Sequence, residues 1–380
     1  SEILARGGDQ EMGCNSAPIL VDIETWLNRR VSPRLLTLTI DSFAAMLNCE
    51  FSDHPDYDAL ELQWFDDERH GRGMLAFLSR RSDRRLDYYL QPGLRLDRDA
   101  YAIGGGVGAW VETEFETARL IVADDGVFAE AHFVDVDGRA IEVRIDDRDG
   151  QQRERAGLLA PISAGIQHPN SLMLVWLPSF DLLRATSNKP VIRIGGADAR
   201  VGSLPGERLH RRILVKYAAP IVVATVAEAY DGSIAGLETS HQLVSGAAGS
   251  VGAVVAAADG HIARLCFVPE IPDPEAMSVD SSATGRWQIA IDGTGITGGS
   301  WAIHRTHDRL ELGVDVPERW RPGPLPLLMR LVTTMVPVFR RWPTSYRWRA
   351  TAQLGADPTL TSRWERTGSG GRYLNQDTSR

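Results

Sequence analysis

Apolar and polar residues alternate one by one in many short runs along this chain. Clear examples are residues 59–65 (ALELQWF), 128–134 (FAEAHFV) and 141–145 (IEVRI). Successive side chains of a β-strand point to opposite faces, so strict alternation predicts strands with one buried face. The same pattern recurs at residues 110–115, 171–177, 191–194, 213–217, 261–267, 287–291, 300–304, 309–314 and 346–352.

Asp-Gly pairs separate many of these runs. They begin at Asp125, Asp137, Asp149, Asp231, Asp259 and Asp292. Asp-Gly tolerates the positive φ angles of tight hairpins, so each pair predicts a turn between antiparallel strands. Helical patterns are scarce. Residues 41–47 (DSFAAML) predict a helix of one or two turns, and residues 325–336 (LPLLMRLVTTMV), bounded by prolines, predict a longer one.

Many short strands with few helices are typical of sandwiches and barrels. We therefore expect an all-β protein with two domains. An N-terminal antiparallel β-sandwich at residues 17–225 packs on a C-terminal lipocalin-like β-barrel at residues 226–367. Residues 1–16 and 368–380 are polar and contain glycine, which predicts flexible termini.

Composition excludes several classes of protein. The net charge of −9 argues against a nucleic-acid binder, which needs a positive face. The longest apolar stretch, near residues 324–339, is interrupted by Arg330 and Pro337 and is too short for a membrane span. Three widely spaced cysteines form neither a disulfide framework nor a zinc pattern, and no signal peptide is visible. We expect a cytoplasmic protein.

Motifs for common catalytic sites are missing or misplaced. Residues 293–298 match G-x-G-x-x-G and residues 104–109 nearly do, but strand-like residues follow both, which favours Gly-rich turns over nucleotide loops. There is no P-loop and no G-x-S-x-G nucleophile elbow. Nine histidines are scattered without H-E-x-x-H spacing. A metal site built from three distant histidines is left open as an alternative, and no metal or cofactor is predicted.

Polar and aromatic residues on strand faces are the candidates for a small-molecule pocket. Trp110 shares a face with Glu112, and Tyr89 shares one with Gln91, whereas Lys216 points away from Tyr217. An apolar cavity with a few convergent polar groups is the usual form of such a pocket. Lys216 interrupts an otherwise apolar run, and a buried lysine needs a partner or a lowered pKa.

The C-terminal run at residues 287–314 (WQIAIDGTGITGGSWAIHRTHDRLELGV) is followed by Trp320 and a Pro-rich turn. This run and the two-part layout resemble the two-domain lipocalin-like family of carotenoid 1,2-hydratases, AttH-type proteins and related Diels–Alderases. The resemblance implies cofactor-free hydration, isomerisation or cyclisation of an apolar polyene or polyketide intermediate in secondary metabolism, such as antibiotic biosynthesis. Preorganisation of a flexible substrate in a dry pocket would supply the catalysis.

The predicted function is a cofactor-independent cyclase or isomerase of the pericyclase type, with a small apolar substrate as its partner. The candidate catalytic donors are Glu112, His132, Lys216 and Tyr89. The candidate substrate-binding residues are Trp110, Gln91, Trp176, Tyr217 and Trp301. The alternatives are a non-catalytic lipid or terpenoid carrier and a hydratase of an isoprenoid. A homodimer is left open.

Overall fold

The computed structural model describes residues 35–101, 103–162, 169–185, 188–237, 242–245, 249–320, 323, 325–339, 341–344 and 346–366. Most of them lie in β-strands, which form three curled sheets, so the prediction of a mostly β protein is confirmed. The predicted flexible termini lie outside the described residues. The division at residue 225 into a sandwich and a lipocalin-like barrel stays a prediction.

In chain order, the strands of the first half are β1 (Leu38–Phe43), β2 (Ala45–Glu50), β3 (Tyr57–Asp67), β4 (Gly71–Arg80), β5 (Leu86–Leu90), β6 (Val107–Glu112), β7 (Thr117–Ala123), β8 (Gly126–Val134), β9 (Ala140–Asp146), β10 (Ala156–Ala160), β11 (Leu172–Arg184), β12 (Val191–Ile194), β13 (Ala197–Asp198), β14 (Arg212–Ala218) and β15 (Ile221–Val226). A short helix α1 (Glu207–His210) precedes β14, and a turn of 3-10 helix, Asp99–Tyr101, lies between β5 and β6.

The strands of the second half are β16 (Tyr230–Ser233), β17 (Gln242–Ser245), β18 (Val251–Ala258), β19 (His261–Ile271), β20 (Ser281–Ile291), β21 (Thr294–Arg305), β22 (Arg309–Val316), β23 (Tyr346–Gln353) and β24 (Thr359–Arg366). Helix α2 (Leu327–Met335) connects β22 to β23, and a 3-10 turn, Ile234–Gly236, follows β16. Among the described residues, no helix combines the length and the apolar character that a membrane crossing requires.

Two pairs of consecutive strands with short interruptions form one end of the ten-stranded sheet. β1 and β2 are separated only by Ala44, and they pair with β15 and β14, which are separated by Ala219 and Pro220. β11 pairs with both β15 and β14, and β10 adds to β11. On the other side, β3, β4 and β5 follow β2, and β6 pairs with β5 in parallel.

A five-stranded sheet packs on one face of the ten-stranded sheet. Its strand order is β13-β12-β9-β8-β7. Alternate apolar residues of β8 and β9, such as Phe133 and Val143, share a buried cluster with Leu47, Leu62 and Tyr89 of the larger sheet. The alternation seen in the sequence therefore separates a buried face from an outer one.

The nine-stranded sheet is a meander of the C-terminal residues. Strands β17 to β24 pair in sequence order, and β16 adds to β24. Its inner face carries four nearly fully buried tryptophans, Trp287, Trp301, Trp348 and Trp364. These belong to one continuous apolar cluster with residues of β1, β11 and β15. The N-terminal and C-terminal sheets therefore share a core.

Three local predictions are wrong. Asp149-Gly150 lies in the connection between β9 and β10, which belong to different sheets and do not form a hairpin. Residues 41–47 form the end of β1 and the start of β2, because pairing with β15 and β14 overrides the weak helical pattern. Asp231 and Gly232 lie inside β16, where they pair with Thr361 and Leu360, and they do not form a turn.

Other local predictions are confirmed. The longer helix is α2, which begins at Leu327 and ends at Met335. Asp259-Gly260 and Asp292-Gly293 form hairpin turns in which both residues have positive φ. The glycines of residues 293–298 lie in the second of these hairpins and not in a nucleotide loop.

The cysteines differ from the sequence interpretation. Cys49 on β2 is a free, buried thiol, and burial raises its pKa. Cys266 on β19 is disulfide-bonded, which the wide spacing of the three cysteines did not predict.

Candidate functional site

A row of six side chains crosses the ten-stranded sheet on the face that is turned away from the five-stranded sheet. Each member is paired with the next in the strand register, from β14 through β2, β3, β4 and β5 to β6. Directly paired residues of neighbouring strands point to the same face. In strand order the members are Lys216, Asn48, Glu61, Phe77, Tyr88 and Trp110. We call this set the Glu61 row.

Glu61 is the central acid of the row. Its Oε2 accepts a hydrogen bond from Asn48 Nδ2 at 3.1 Å, and its Oε1 accepts one from Gln63 Nε2 at 2.7 Å. Burial raises the pKa of Glu61 to about 6, although the two amide hydrogen bonds and the Lys216 ammonium act to lower it. The side chain is only partly buried. It can therefore exchange a proton near neutral pH while remaining within reach of a ligand.

The other end of the row is aromatic. The ring centroids of Tyr88 and Trp110 are 4.8 Å apart, and those of Phe77 and Tyr88 are 5.2 Å apart. Arg98 lies over the Trp110 indole at 5.5 Å. The indole Nε1 of Trp110 is buried and has no hydrogen-bond partner among the described residues. Native folds rarely leave a buried donor without a partner, so this N–H makes the aromatic end of the row a candidate binding position.

The segment between β5 and β6 covers part of this face. Leu94 is buried, and Leu96 and Ile103 pack against the same cluster as Tyr88. Tyr101 closes the 3-10 turn, and its hydroxyl donates to Gln63 Oε1 at 3.3 Å. A hydrogen-bond chain therefore runs from Tyr101 through Gln63 to Glu61. We call the Glu61 row together with Gln63 and Tyr101 the Glu61 groove.

Three of the sequence-predicted site residues belong to this face. Lys216 and Trp110 are members of the row, and the Lys216 ammonium pairs with Glu50. Glu112 lies two residues after Trp110 on β6, where it is exposed at the edge of the groove.

The other candidates are dispersed. Tyr89 is buried between the two N-terminal sheets, with Phe133 at 5.0 Å, and Tyr217 donates to Asp181 Oδ2 at 3.1 Å. Gln91 Oε1 accepts a hydrogen bond from the Met74 amide at 3.0 Å.

His132 lies on the five-stranded sheet and pairs with Glu116. Trp176 packs on Trp320, and Trp301 faces the interior of the nine-stranded sheet. The structure therefore does not bring these residues to one site, and their proposed roles stay predictions.

Sequence reasoning missed Glu61, Gln63, Asn48, Tyr88 and Tyr101. A signal was present, because the alternation in residues 59–65 places Glu61 and Gln63 on the same face of one strand. Alternation does not reveal whether a polar face meets solvent or a partly covered groove.

A second polar cluster lies at the turn between β3 and β4. His70 is buried, its Nε2 is 3.2 Å from Asp41 Oδ2, and its Nδ1 is 3.0 Å from Asp67 Oδ2. The hydrogen bond to Asp41 is the largest cause of the raised pKa of His70. Arg69 also pairs with Asp41, at 3.1 Å. The imidazolium therefore ties β1 to the turn between β3 and β4.

The inner face of the nine-stranded sheet encloses a small apolar cavity. It is lined by Leu36, Val226, Ala227, Leu265, Phe267, Trp287, Val314 and Trp364. Trp301 and Trp348 flank Val314 in the strand register, and both indole Nε1 atoms are buried without a hydrogen-bond partner among the described residues. This cavity offers apolar contact but no charged group.

Metal-ligating side chains do not converge within the part of the chain that the structure describes. No group of three or more histidine, cysteine, aspartate or glutamate residues there has the arrangement of a metal site. Two of the nine histidines, His168 and His241, lie outside the described residues.

Comparison of the chain with protein-family profiles, curated proteins and solved structures found no match. The resemblance to the two-domain lipocalin-like family therefore stays an expectation. The function has to be argued from the geometry of the Glu61 groove and of the apolar cavity.

Proposed function

We propose that this protein is a cofactor-independent isomerase or cyclase, with Glu61 as the proton donor and acceptor for an apolar, unsaturated substrate. We further propose that the ten- and five-stranded sheets form the predicted sandwich, and that the nine-stranded sheet is the lipocalin-like barrel. The observation that carries the catalytic proposal is the Glu61 carboxyl, whose pKa is raised to about 6 between two amide donors on a partly covered, aromatic-lined face.

The chemistry of the groove favours proton transfer. A carboxyl group with a pKa near the working pH can be protonated before the reaction and deprotonated after it. The protonated Glu61 gives its proton to one carbon of an alkene or enol double bond, the π electrons form the new C–H bond, and the other carbon becomes cationic; a second double bond of the substrate can attack that carbon to close a ring. The carboxylate then removes a proton from a neighbouring carbon, so a double bond moves or a ring closes and Glu61 is restored.

The aromatic end of the groove fits such a substrate. Tyr101 and Trp110 are only partly buried and offer rings that stabilise a developing positive charge, and the buried Tyr88 packs against both. The Trp110 indole N–H can hold a carbonyl or hydroxyl oxygen and fix the orientation of the chain. Asn48 and Gln63 keep the carboxyl in place while it changes protonation state.

A second candidate function is that of a carrier. The cavity in the nine-stranded sheet has a wholly apolar lining, but its empty volume of about 220 Å³ is below the range of ordinary ligand pockets, so a lipid or terpenoid would enter only if the sheet opened. In this alternative the raised pKa of Glu61 has no role in function.

Solvent deuterium separates the two functions. Small molecules that co-purify with the protein are extracted and identified, and they and linear isoprenoid polyenes are incubated with the protein in D2O. A proton-transfer enzyme releases products that carry deuterium, whereas a carrier returns the compounds unchanged. Glu61→Gln is expected to abolish deuterium incorporation. Glu311→Gln, at an exposed glutamate of β22, serves as the matched control and is expected to behave as the wild type.

Deuterium incorporation that survives Glu61→Gln would overturn the assignment of Glu61. Ring closure without deuterium in the wild type would favour a purely pericyclic reaction, in which no proton moves.

A further inference from the structure

Helix α2 exposes apolar side chains where a surface helix normally exposes polar ones. The exposed fractions are 67% for Leu327, 50% for Leu331 and 64% for Met335. A spacing of four residues places these three on one stripe of the helix. Among the large hydrophobic residues that the structure describes as exposed, Leu327 and Met335 have the two highest exposed fractions.

The opposite side of α2 faces the protein. Met329 is buried, and Leu328 packs against the same cluster. The two threonines add little polarity, because Thr333 Oγ1 donates to the Met329 carbonyl at 2.9 Å and Thr334 Oγ1 donates to the Arg330 carbonyl at 2.6 Å. Their hydroxyls are thus bound to the helix itself. The outer stripe is apolar although the inner side already anchors the helix.

The sequence that flanks α2 is strongly basic in a protein whose net charge is −9. Residues 317–349 contain seven arginines and a single acidic residue, Glu318. Arg330 is exposed on the helix itself, and Arg341 is exposed shortly after it. The backbone amide of Trp320 donates to the Trp342 carbonyl at 2.9 Å, so the two ends of this segment are joined. The segment that carries α2 is therefore closed by a backbone hydrogen bond and carries exposed arginines on the helix and after it.

We propose that α2 docks into the surface of an anionic lipid membrane. Leu327, Leu331 and Met335 enter the boundary between headgroups and acyl chains, and the surrounding arginines bind the lipid phosphates. A short helix with an apolar face and a cationic border is suited to lie in this interface. Charge complementarity favours a lipid surface over a second copy of this acidic chain. The inference does not depend on the proposed catalytic function.

Flotation with lipid vesicles tests the proposal. The full chain is mixed with phosphatidylcholine vesicles and with vesicles that also contain phosphatidylglycerol. Binding to the anionic vesicles and its loss at high salt are expected. The triple variant Leu327→Ser, Leu331→Ser, Met335→Ser should bind at least about tenfold more weakly. Arg330→Glu, a second and structurally milder change, should weaken binding several-fold.

The matched control is Ile262→Ser with Val268→Ser. These residues of β19 have exposed fractions of 48% and 52%, so the control removes exposed apolar surface away from α2. It should bind vesicles as the wild type does. Circular dichroism and the Tm establish that each variant is folded.

Two results would overturn the proposal. One is that the wild-type protein does not float with anionic vesicles, or that the triple variant floats as well as the wild type. The other is a wild-type dimer in solution that the triple variant converts to a monomer, since α2 would then contact a second copy of the chain.

Discussion

The side-chain amide of Asn48 on β2 holds the carboxylate of Glu61 on β3 at 3.1 Å, directly across the strand register. The Gln63 amide binds the other carboxylate oxygen. Burial nevertheless outweighs these hydrogen bonds, and the pKa of Glu61 rises to about 6. The fold therefore holds in place an acid whose charged form it disfavours, which is a common property of catalytic groups.

Replacing Glu61 with Gln is expected to stabilise the protein at neutral pH. Folding raises the pKa of Glu61, so the folded chain binds more protons than the unfolded chain between about pH 4.3 and 6. The free energy of unfolding therefore falls as pH rises through this window. Urea unfolding should show a gain of about 1 kcal/mol for Glu61→Gln at about pH 7.5, and little change near pH 4.

The control Glu311→Gln should show no such pH-dependent gain in the free energy of unfolding, because Glu311 is exposed on β22. A loss of stability for Glu61→Gln at neutral pH would mean that the carboxylate is well accommodated and that its pKa is not raised.

Lys216 should act on Glu61 through its charge. The ammonium lowers the pKa of Glu61, so Lys216→Met should raise that pKa further. A carboxyl titration by NMR or infrared spectroscopy measures the shift directly. Lys189→Met, at the other lysine of the chain and exposed, is the control. An unchanged Glu61 pKa in Lys216→Met would show that the Glu50 pair neutralises the ammonium completely.

The His70 cluster should also make stability fall as pH rises, but in a higher pH range than Glu61 does. Hydrogen bonding to Asp41 and Asp67 raises the pKa of His70 above its value in the unfolded chain. Its contribution is fully present below about pH 6.5 and is lost as pH rises through the folded-state pKa. His70→Gln should therefore cost about 1–2 kcal/mol near pH 5.5 and less near pH 9, as measured by urea unfolding.

His304→Gln is the matched control for His70, because His304 bonds to the neutral Ser282 hydroxyl and not to a carboxylate. An equal cost of His70→Gln at both pH values would show that packing, and not the ion pairs, accounts for the role of His70.

Gly285 on β20 is required by the indole of Trp301 on β21. A Cβ at this position would lie 2.7 Å from Trp301 Nε1, and the ring is fully enclosed. Gly285→Ala should therefore lower stability by about 1–3 kcal/mol through overpacking, measured as a decrease in Tm or in the urea midpoint. Gly323→Ala is the control, since its Cβ would meet no atom within 4 Å. A Tm for Gly285→Ala equal to that of the control would contradict this packing.

The sequence predicts the strands well because alternation and Asp-Gly turns are local signals. The hairpin at Asp292-Gly293 shows this, as does the buried face of β8. The helix prediction for residues 41–47 is wrong because their conformation depends on pairing with β15, which is distant in the chain.

The candidate site is harder to predict than the strands. The alternation in residues 59–65 places Glu61 and Gln63 on one face, but the segment that contains Tyr101 decides that this face is partly covered. That cover depends on long-range contacts, which no local pattern encodes.

Strands β1 and β15 pair within the ten-stranded sheet, yet their apolar side chains lie in one cluster with the tryptophans of the nine-stranded sheet. Ser42 on β1 also donates its hydroxyl to Asp259, in the turn between β18 and β19, at 3.4 Å. The nine-stranded sheet therefore does not complete its hydrophobic interior with its own residues, because strands of the first half contribute to the same cluster. During evolution, recombination could not exchange one half for a foreign module without breaking this shared surface, so both halves are expected to be inherited and to diverge as a single unit.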